Sequence, residues 1–153
     1  MAVEVHLLRP VRGAERQRCG ERFVHHVVAV RLERGLRLGI TRDREELYDR
    51  INKRVDILMD EGLLDEVKSL VGMGLTFDDI SMKGIGYKEL IGHLNGEYDL
   101  DEAVRLIKRN TRHFAKRQMT WFRRYDDMRW FNVSEYEDEQ ACLGDILKWL
   151  SRK

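Results

Sequence analysis

The segment DLDEAVRLIKRNTRHFAKRQMTWFRR, residues 99–124, constrains the fold more than any other part of the sequence. It contains no proline or glycine, and its apolar residues recur at intervals of three and four, the period of an amphipathic helix. Asp99 with Glu102 three residues later matches a capping box at a helix start. The sequence therefore predicts one long helix here, with a fold built around it.

Positive charge is concentrated in this predicted helix. Residues 105–124 hold eight Lys or Arg, one His and no Asp or Glu, although the whole chain has a formal net charge of only +1. On a helical projection, five of these cations crowd into one arc, apart from a mostly apolar arc. We call these five the basic stripe: Arg105, Arg109, Arg112, Lys116 and Arg123. The other arc holds Val104, Ile107, Thr111, Phe114, Ala115, Gln118 and Phe122.

The basic stripe has two interpretations. Like charges one turn apart repel by about a few tenths of a kcal/mol per pair, so a polyanion is a natural partner. Phosphates would release counterions, and Trp121, Tyr125 or Trp130 would offer a ring on which a base stacks. Alternatively, the stripe is a solvated face with acidic partners from an earlier helix. Those partners would be Asp49, Asp56 and Asp60.

Length and composition limit the class of protein. A chain of 153 residues with 42% hydrophobic content forms one domain, and 36% charged residues with a single proline favour a mainly helical fold. No apolar run reaches the ~18 residues of a membrane span, and the start lacks the regions of a signal peptide. Cys19 and Cys142 show no metal-ligand spacing. We therefore expect unpaired thiols, no membrane association and a cytoplasmic protein.

From Leu36 onward the other local signals are regular. LRLGI is typical of a short strand, and the next helix begins with a capping-box pattern at Asp43 and Glu46 and ends at Gly62. Its predicted buried residues are Leu47, Ile51, Val55 and Leu58. Further helices are predicted at residues 63–70, in GYKELIGHLNG and in DEQACLGDILKWL, and a second strand in RWFNV. The expected fold is mainly α with one or two short β-strands.

Two smaller groups are candidates for binding phosphate. Arg50 and Arg54 lie one turn apart, so both guanidiniums could hold one diphosphate; alternatively they pair with Glu46 or later carboxylates. In SMKGIGYKEL, Gly84 and Gly86 precede a predicted helix and would let backbone N–H groups approach a phosphate closely. A simple turn is the alternative for the glycines.

Four segments in order resemble a known family. TRDREELYDRINKRVDILMDEGLLDEV, ISMKGIGYKEL, NGEYDLDEAV and NTRHFAKRQMTWFRR are similar to the C-terminal part of tRNA dimethylallyltransferases, also called tRNA isopentenyltransferases. The resemblance runs from about Gly39 to about Val133. Such enzymes transfer the dimethylallyl group of dimethylallyl diphosphate to N6 of the adenosine 3′ of the tRNA anticodon. The resemblance implies tRNA modification, the tRNA anticodon arm and dimethylallyl diphosphate as partners, and a typically monomeric enzyme.

The resemblance also implies roles for individual residues. Arg50 and Arg54 match the arginine that steadies the diphosphate leaving group, on which negative charge grows as the allylic C–O bond breaks. Two segments match the family's tRNA-contacting motifs, with cations for phosphates, amide and hydroxyl groups for hydrogen bonds, and Tyr87 or Trp121 for stacking. Their residues are Met82, Lys83, Gly84, Ile85, Gly86, Tyr87, Lys88, Glu89, Arg112, Lys116, Arg117, Gln118, Met119, Thr120, Trp121, Phe122 and Arg123.

One departure from the family bears on activity. The N-terminal half of such enzymes carries a nucleotide-type P-loop, which holds the diphosphate and Mg²⁺, and an aspartate general base. These 153 residues contain no GxxxxGK[ST] pattern. We therefore expect the C-terminal portion of an α/β P-loop-type transferase, with the Mg²⁺ ligands outside this sequence and no prenyl transfer by the chain alone. The alternatives are a non-catalytic helical RNA-binding module and an inactive gene remnant.

Residues 1–38 differ in composition from the rest. They contain eight Arg but no Lys and no Asp, and FVHHVVAVRL within them has strand character. We expect an atypical segment that is disordered or encoded out of frame, and the alternative is a basic arm for nucleic acid. Residues 39–153 then form the helical part that the resemblance describes.

Overall fold

The structure, a computed structural model, describes the backbone of residues 6–7 and 28–31 and all of residues 36–152. Over these ranges the strands are β1 (His6–Leu7), β2 (Val28–Arg31), β3 (Arg37–Thr41) and β4 (Met128–Asn132). The helices are α1 (Arg44–Asp60), α2 (Leu63–Gly72), α3 (Tyr87–Leu94), α4 (Leu100–Phe122) and α5 (Glu139–Ser151). Short 3₁₀ turns cover Ile80–Lys83 and Val133–Glu135. The fold is mainly α as predicted, and β3 and β4 are the two predicted strands.

The N-terminal segment contributes β1 and β2 to the described fold. These two short strands were not among the one or two predicted, although β2 falls within the segment with strand character. The expectation that residues 1–38 are disordered or encoded out of frame falls mostly outside the described residues, as does Cys19. That expectation stays a prediction.

The described residues fall into two compact units. The first, which we call the sheet unit, contains the four strands, the start of α1 through Leu47, and the chain from Ala115 onward. The second, which we call the helical unit, contains Tyr48–Phe114 among the described residues. Both α1 and α4 contribute residues to each unit.

The sheet unit is built on strands in the order β1-β2-β3-β4. β3 and β4 pair in parallel, with Gly39 opposite Trp130, and the other pairs are antiparallel. A Cβ at Gly39 would lie 2.5 Å from the Trp130 ring, so only glycine allows this ring to cross β3. One apolar cluster packs the sheet on α5 and includes the free thiol of Cys142. Its buried members are Leu38, Phe131, Val133, Cys142 and Ile146.

The helical unit is held by one apolar cluster from α1, α2, α3, α4 and the first 3₁₀ turn. The predicted stripe of α1 is confirmed, since Leu47, Ile51, Val55 and Leu58 are all buried. Burial of each such side chain contributes about 1.5–3 kcal/mol. The cluster itself contains Val55, Leu58, Leu63, Val67, Met82, Tyr87, Leu90, Ile91, Ala103 and Ile107.

The start of α1 differs from the predicted capping box. The Asp43 N–H donates to Ser134 Oγ at 2.8 Å, and Ser134 Oγ in turn donates to Glu46 Oε2 at 2.6 Å. A serine hydroxyl thus stands between the two groups that a capping box would join directly. The Asp43 carboxylate accepts a hydrogen bond from Asn132 Nδ2 at 2.8 Å. The helix start was thus predicted correctly from the sequence of α1. The hydrogen bonds that hold this start come from Asn132 of β4 and from Ser134 in the 3₁₀ turn that follows β4.

Among the described residues, no helix combines the length and apolar character that a membrane span requires.

Candidate nucleic-acid interface

The glycine segment predicted to contact tRNA lies in the helical unit, between the first 3₁₀ turn and α3. Gly86 has a φ of 99°, which disfavours any side chain, and α3 begins at the next residue. Lys83, Gly84 and Lys88 are exposed, and Ile85 is half-buried. The segment therefore presents a cationic, glycine-containing turn to solvent.

Glu89 holds this turn from the inside. Its side chain is 1% exposed, and its carboxylate accepts hydrogen bonds from the Gly86 N–H and from Asn110 Nδ2, both at 2.7 Å. A buried carboxylate needs such donors, because its desolvation is otherwise costly. Asn110 belongs to α4, so Glu89 ties the turn to the long helix.

Four residues of this segment that were predicted to contact tRNA are buried: Met82, Gly86, Tyr87 and Glu89. Tyr87 is 2% exposed, and its hydroxyl donates to Glu66 Oε1 at 2.6 Å. The structure therefore does not support Tyr87 as a surface on which a base stacks. The physical reason is that the first turn of α3 directs this ring into the apolar cluster. These four residues form the packed side of the turn, behind the exposed Lys83, Gly84 and Lys88.

The beginning of the basic stripe is paired with acidic residues. Arg105 donates to both carboxylate oxygens of Glu102, at 2.6 and 2.5 Å. This hydrogen bond lowers the pKa of Glu102 and raises the pKa of Arg105. Lys108, beside the stripe, forms an ion pair of 2.5 Å with Asp56 of α1. The solvated-face interpretation thus holds for this end of α4, with Asp56 acting as one of the expected partners.

Arg109 and Arg112 lie further along the stripe, and the side chains they contact by hydrogen bond are asparagines. Arg112 donates from Nη1 to Asn52 Oδ1 at 2.5 Å, and its guanidinium carbon lies 5.9 Å from the centre of the Tyr48 ring. Arg109 is exposed and makes a 3.5 Å contact with Asn110 Oδ1. Among the described residues, neither guanidinium donates to a carboxylate, in contrast to Arg105.

Arg50 and Arg54, the candidates for diphosphate, are both exposed on α1 in the helical unit. Neither forms a hydrogen bond or ion pair with a residue in the described part of the chain. Glu46, the alternative partner predicted for the two arginines, accepts hydrogen bonds from Arg42 at 2.7 Å and from Ser134 at 2.6 Å. Two guanidiniums thus stand one turn apart on an exposed helix face.

The second predicted tRNA motif, residues 116–123, lies in the sheet unit at the end of α4. Its exposed members are Lys116, Arg117, Thr120, Trp121 and Arg123, and its partly buried members are Gln118, Met119 and Phe122. Thr120 donates from Oγ1 to the Lys116 carbonyl at 3.0 Å, and Met119 Sδ lies 3.8 Å from Thr41 Oγ1 on β3. The motif therefore has a packed back and an exposed basic face.

Gln118 carries an unused hydrogen-bond acceptor. Its Oε1 is shielded from solvent and has no hydrogen-bond partner among the described residues. An unsatisfied buried acceptor costs about 1–3 kcal/mol. A hydrogen bond from Gln118 to tRNA stays a prediction.

Trp121 belongs to a group of three rings and two charged side chains that we call the aromatic cluster: Arg37, Trp121, Phe122, Tyr125 and Asp127. Trp121 is 46% exposed as a residue, and its ring makes T-shaped contacts with Phe122 and Tyr125 at centroid distances of 5.1 and 5.6 Å. The Arg37 guanidinium lies 4.8 Å from the centre of the Tyr125 ring and forms an ion pair with Asp127. The hydrogen bond to Asp127 raises the pKa of Arg37. An exposed Trp121 side chain thus contacts the Tyr125 ring, which in turn contacts the Arg37 guanidinium.

Four residues that position these candidates were missed at the level of sequence: Arg37, Asn52, Asn110 and Asp127. A weak signal existed for Asn110, because asparagine is a poor helix former in the interior of a long helix and calls for a side-chain partner. No local signal marks Arg37 and Asp127, because they are separated by 90 positions in the chain.

The described residues do not fit a metal site. Among residues 36–152, no group of three or more His, Cys, Asp or Glu side chains is arranged to hold a metal ion.

Comparison with known proteins gives one consistent result. A model of the IPP transferase family matches residues 11–125, so the match begins earlier than the resemblance seen from Gly39 onward. The chain is 60% identical over 113 residues to the tRNA dimethylallyltransferase of Thermotoga maritima, covering 74% of this chain and 35% of that protein. It is 52% identical over 138 residues to the tRNA dimethylallyltransferase of Halothermothrix orenii, covering 90% and 38%.

A solved structure shows the same relationship. The chain is 41% identical to the full-length tRNA isopentenylpyrophosphate transferase of Bacillus halodurans, with a TM-score of 0.69 over 74% of this chain and 37% of that one. The chain thus spans little more than a third of the length of each of these relatives.

Proposed function

The chain belongs to the IPP transferase family, and we propose that it supplies the tRNA-binding, C-terminal part of a tRNA-modifying enzyme. The reaction proposed for the whole enzyme is transfer of a dimethylallyl group from dimethylallyl diphosphate to N6 of the adenosine 3′ of the anticodon. The end of α4 carries the proposal, because Lys116, Arg117 and Arg123 are exposed there around Trp121 with no acidic residue between them. Phosphates neutralise such cations, and unpaired bases stack on such rings.

The helical unit supports the proposal independently. Lys83 and Lys88 flank the glycine turn, and Arg109 and Arg112 keep their charge on α4. Contacts from such cations to phosphates fix the position of an RNA without reading its sequence. The buried Glu89 carboxylate holds the glycine turn in position for such contacts, because it accepts hydrogen bonds from Gly86 and Asn110.

Arg50 and Arg54 are proposed to steady the diphosphate leaving group. When the allylic C–O bond breaks, negative charge grows on the diphosphate, and two adjacent guanidiniums can meet its oxygens with paired hydrogen bonds. Their exposure and the absence of an acidic partner among the described residues support this role. The remaining chemistry requires the family's P-loop and general-base aspartate, which we expect outside these 153 residues because no GxxxxGK[ST] pattern occurs in them.

We therefore expect the 153 residues alone to bind tRNA without transferring a prenyl group. The experiment is incubation of the chain with radiolabelled dimethylallyl diphosphate, Mg²⁺ and unmodified tRNA. Label recovered in the tRNA would contradict this expectation.

The binding proposal is tested by filter binding of tRNA across a salt series. Each phosphate contact contributes about 0.7–0.9 to the slope of log K against log[salt], so combining Lys116→Gln, Arg117→Gln and Arg123→Gln should flatten the slope by about 2. Arg105→Gln and Lys148→Gln are controls, because both cations lie outside residues 116–123 and form ion pairs with Glu102 and Asp145. An unchanged slope in the triple variant would count against this surface.

A further inference from the structure

We propose that the outer face of α5 is a docking surface for the N-terminal, P-loop-bearing part of the whole enzyme. The inference rests on the proposed function, because the family defines the partner. It goes beyond that function by assigning an assembly surface, which uses none of the residues proposed to contact tRNA or diphosphate.

The helix α5 is apolar around more of its circumference than a surface helix requires. One side packs in the apolar cluster of the sheet unit. On a helical projection the apolar side chains of α5 span about 160°, whereas a helix that buries one face needs a stripe of about 100°. These side chains are Cys142, Leu143, Ile146, Leu147, Trp149 and Leu150. The pattern therefore indicates a second side that is buried in a larger assembly.

Leu143 and Leu147 mark this second side. They lie one turn apart and are 47% and 57% exposed, and neither belongs to the apolar cluster of the sheet unit. They share an arc of about 100° with three other residues, and we call the set the uncharged face. Its members are Gln140, Leu143, Gly144, Leu147 and Ser151.

The charged residues of α5 lie outside the uncharged face. Among residues 139–151, all three charged side chains project beyond this arc: Glu139, Asp145 and Lys148. Charged residues make up 36% of the chain, so an exposed helix face without one is unusual for this protein. Protein interfaces combine a centre depleted of charge with a polar rim. The outer side of α5 has this arrangement.

Gly144 lies within the uncharged face and is not required by the packing of the chain itself. A Cβ at this position would meet no atom within 4 Å. Glycine inside a helix is unfavourable, but it lets another segment approach the backbone closely. The open space at Gly144 thus fits a partner that packs directly against the α5 backbone.

The length of the relatives indicates which partner covers the face. The chain spans 38% of the tRNA dimethylallyltransferase of Halothermothrix orenii and 35% of that of Thermotoga maritima. The rest of the enzyme is the N-terminal part, which the resemblance describes as an α/β P-loop half. In α/β proteins, helices cover both faces of a largely parallel sheet and pack beside one another. In the sheet unit, α5 already covers one face of a sheet that contains the parallel pair β3 and β4.

The test is capture of the N-terminal part by the full 153-residue chain. The tagged chain is co-expressed with the portion of the Halothermothrix orenii enzyme that precedes its match to this chain, and the soluble amount of that portion retained by the chain is measured. The wild-type chain should retain it. Combining Leu143→Gln and Leu147→Gln should lower the retained amount about 100-fold, because two leucines then leave an apolar interface.

Matched variants separate docking from folding and from general apolar adhesion. Both leucines are exposed, so the double variant should unfold in urea like the wild-type chain. Gly144→Lys places a charge in the uncharged face without a clash inside the chain, and it should lower capture as well. Met73→Gln combined with Ile80→Gln changes two other exposed apolar residues, 75% and 70% exposed, and should leave capture unchanged.

The outcomes distinguish this inference from the proposed function. If the wild-type chain retains none of the N-terminal portion, or if both α5 variants retain as much as wild type, the docking surface is overturned. If instead the chain alone forms a dimer in analytical ultracentrifugation that the double leucine variant abolishes, the face binds a second copy and the proposed partner is wrong. A chain that retains the N-terminal portion but binds no tRNA would contradict the proposed function and leave the docking surface standing.

Discussion

The side-chain amide of Asn110 on α4 donates a hydrogen bond of 2.7 Å to the buried carboxylate of Glu89 at the start of α3. The same carboxylate accepts the N–H of Gly86. One buried charge therefore joins the glycine turn, a short helix and the long helix of the helical unit.

Asn110→Ala is expected to destabilise the protein. The change leaves a lone pair of the buried Glu89 carboxylate unsatisfied, which should lower the free energy of unfolding by about 1–3 kcal/mol. Urea unfolding followed by far-UV circular dichroism measures the effect. Arg109→Ala, at the neighbouring exposed position, is the control and should stay within about 0.5 kcal/mol of wild type. Equal losses in both variants would show that Glu89 does not depend on Asn110.

Gly92→Ala and Gly144→Ala are expected to have opposite effects, although both glycines lie in helices. A Cβ at Gly92 would lie 2.2 Å from Tyr98 Oη, so the ring must move and lose its 3.0 Å hydrogen bond to the Glu89 carbonyl. We expect a loss of about 1–3 kcal/mol in the free energy of unfolding. A Cβ at Gly144 meets no atom within 4 Å, so alanine should stabilise α5 by about 0.5–1 kcal/mol. Thermal or urea unfolding would contradict the contact at Gly92 if both variants gained stability.

Ser134→Ala is expected to weaken the start of α1. The change removes the acceptor of the Asp43 N–H and the donor to Glu46 together, at an expected cost of about 1–2 kcal/mol in the free energy of unfolding. Ser69→Ala on the exposed face of α2 is the matched control and should be neutral or slightly stabilising. If both substitutions behaved alike in urea unfolding, the serine bridge would have no energetic role.

The Cys142 thiol is expected to react slowly, because burial raises its pKa above the ordinary value. In a Cys19→Ser background, its reaction with a disulfide reagent should speed up at higher pH than the reaction of the urea-unfolded chain. The neutral thiol contributes stability that is complete below the unfolded-state pKa and is lost as pH rises through the raised folded-state pKa. Superimposable pH profiles for the folded and unfolded chains would contradict this.

The helices could be predicted from the sequence because their signals are local. The buried residues of α1, from Leu47 to Leu58, follow from the spacing of apolar side chains within one helix. The position of Tyr87 could not be predicted in this way. One aromatic residue in a short helix sets no period, and only the packing of α3 in the apolar cluster buries its ring.

The partners of the charged residues also divide into local ones, which the sequence predicts, and distant ones, which only the structure reveals. Arg105 pairs with Glu102 three positions away, and the helical spacing of the two makes such a pair readable from the sequence. Lys108 pairs with Asp56 on another helix, although Asp56 was only one of three possible partners before the structure. The bridge from Asp43 through Ser134 to Glu46 joins residues 88 to 91 positions apart and has no local signal.

By itself, the sequence determined that residues near 100–122 form one long helix with its cations on one face, and it identified the family through motifs on that helix and in the glycine turn. Both properties depend on residues within a few turns of each other. Only the tertiary structure decided that Glu89 and Tyr87 are buried and that Trp121 is exposed. It also decided that Trp121 contacts Tyr125, whose ring contacts the Arg37 guanidinium paired with Asp127. These relationships depend on which distant segments pack together, and burial and pairing are set by that packing.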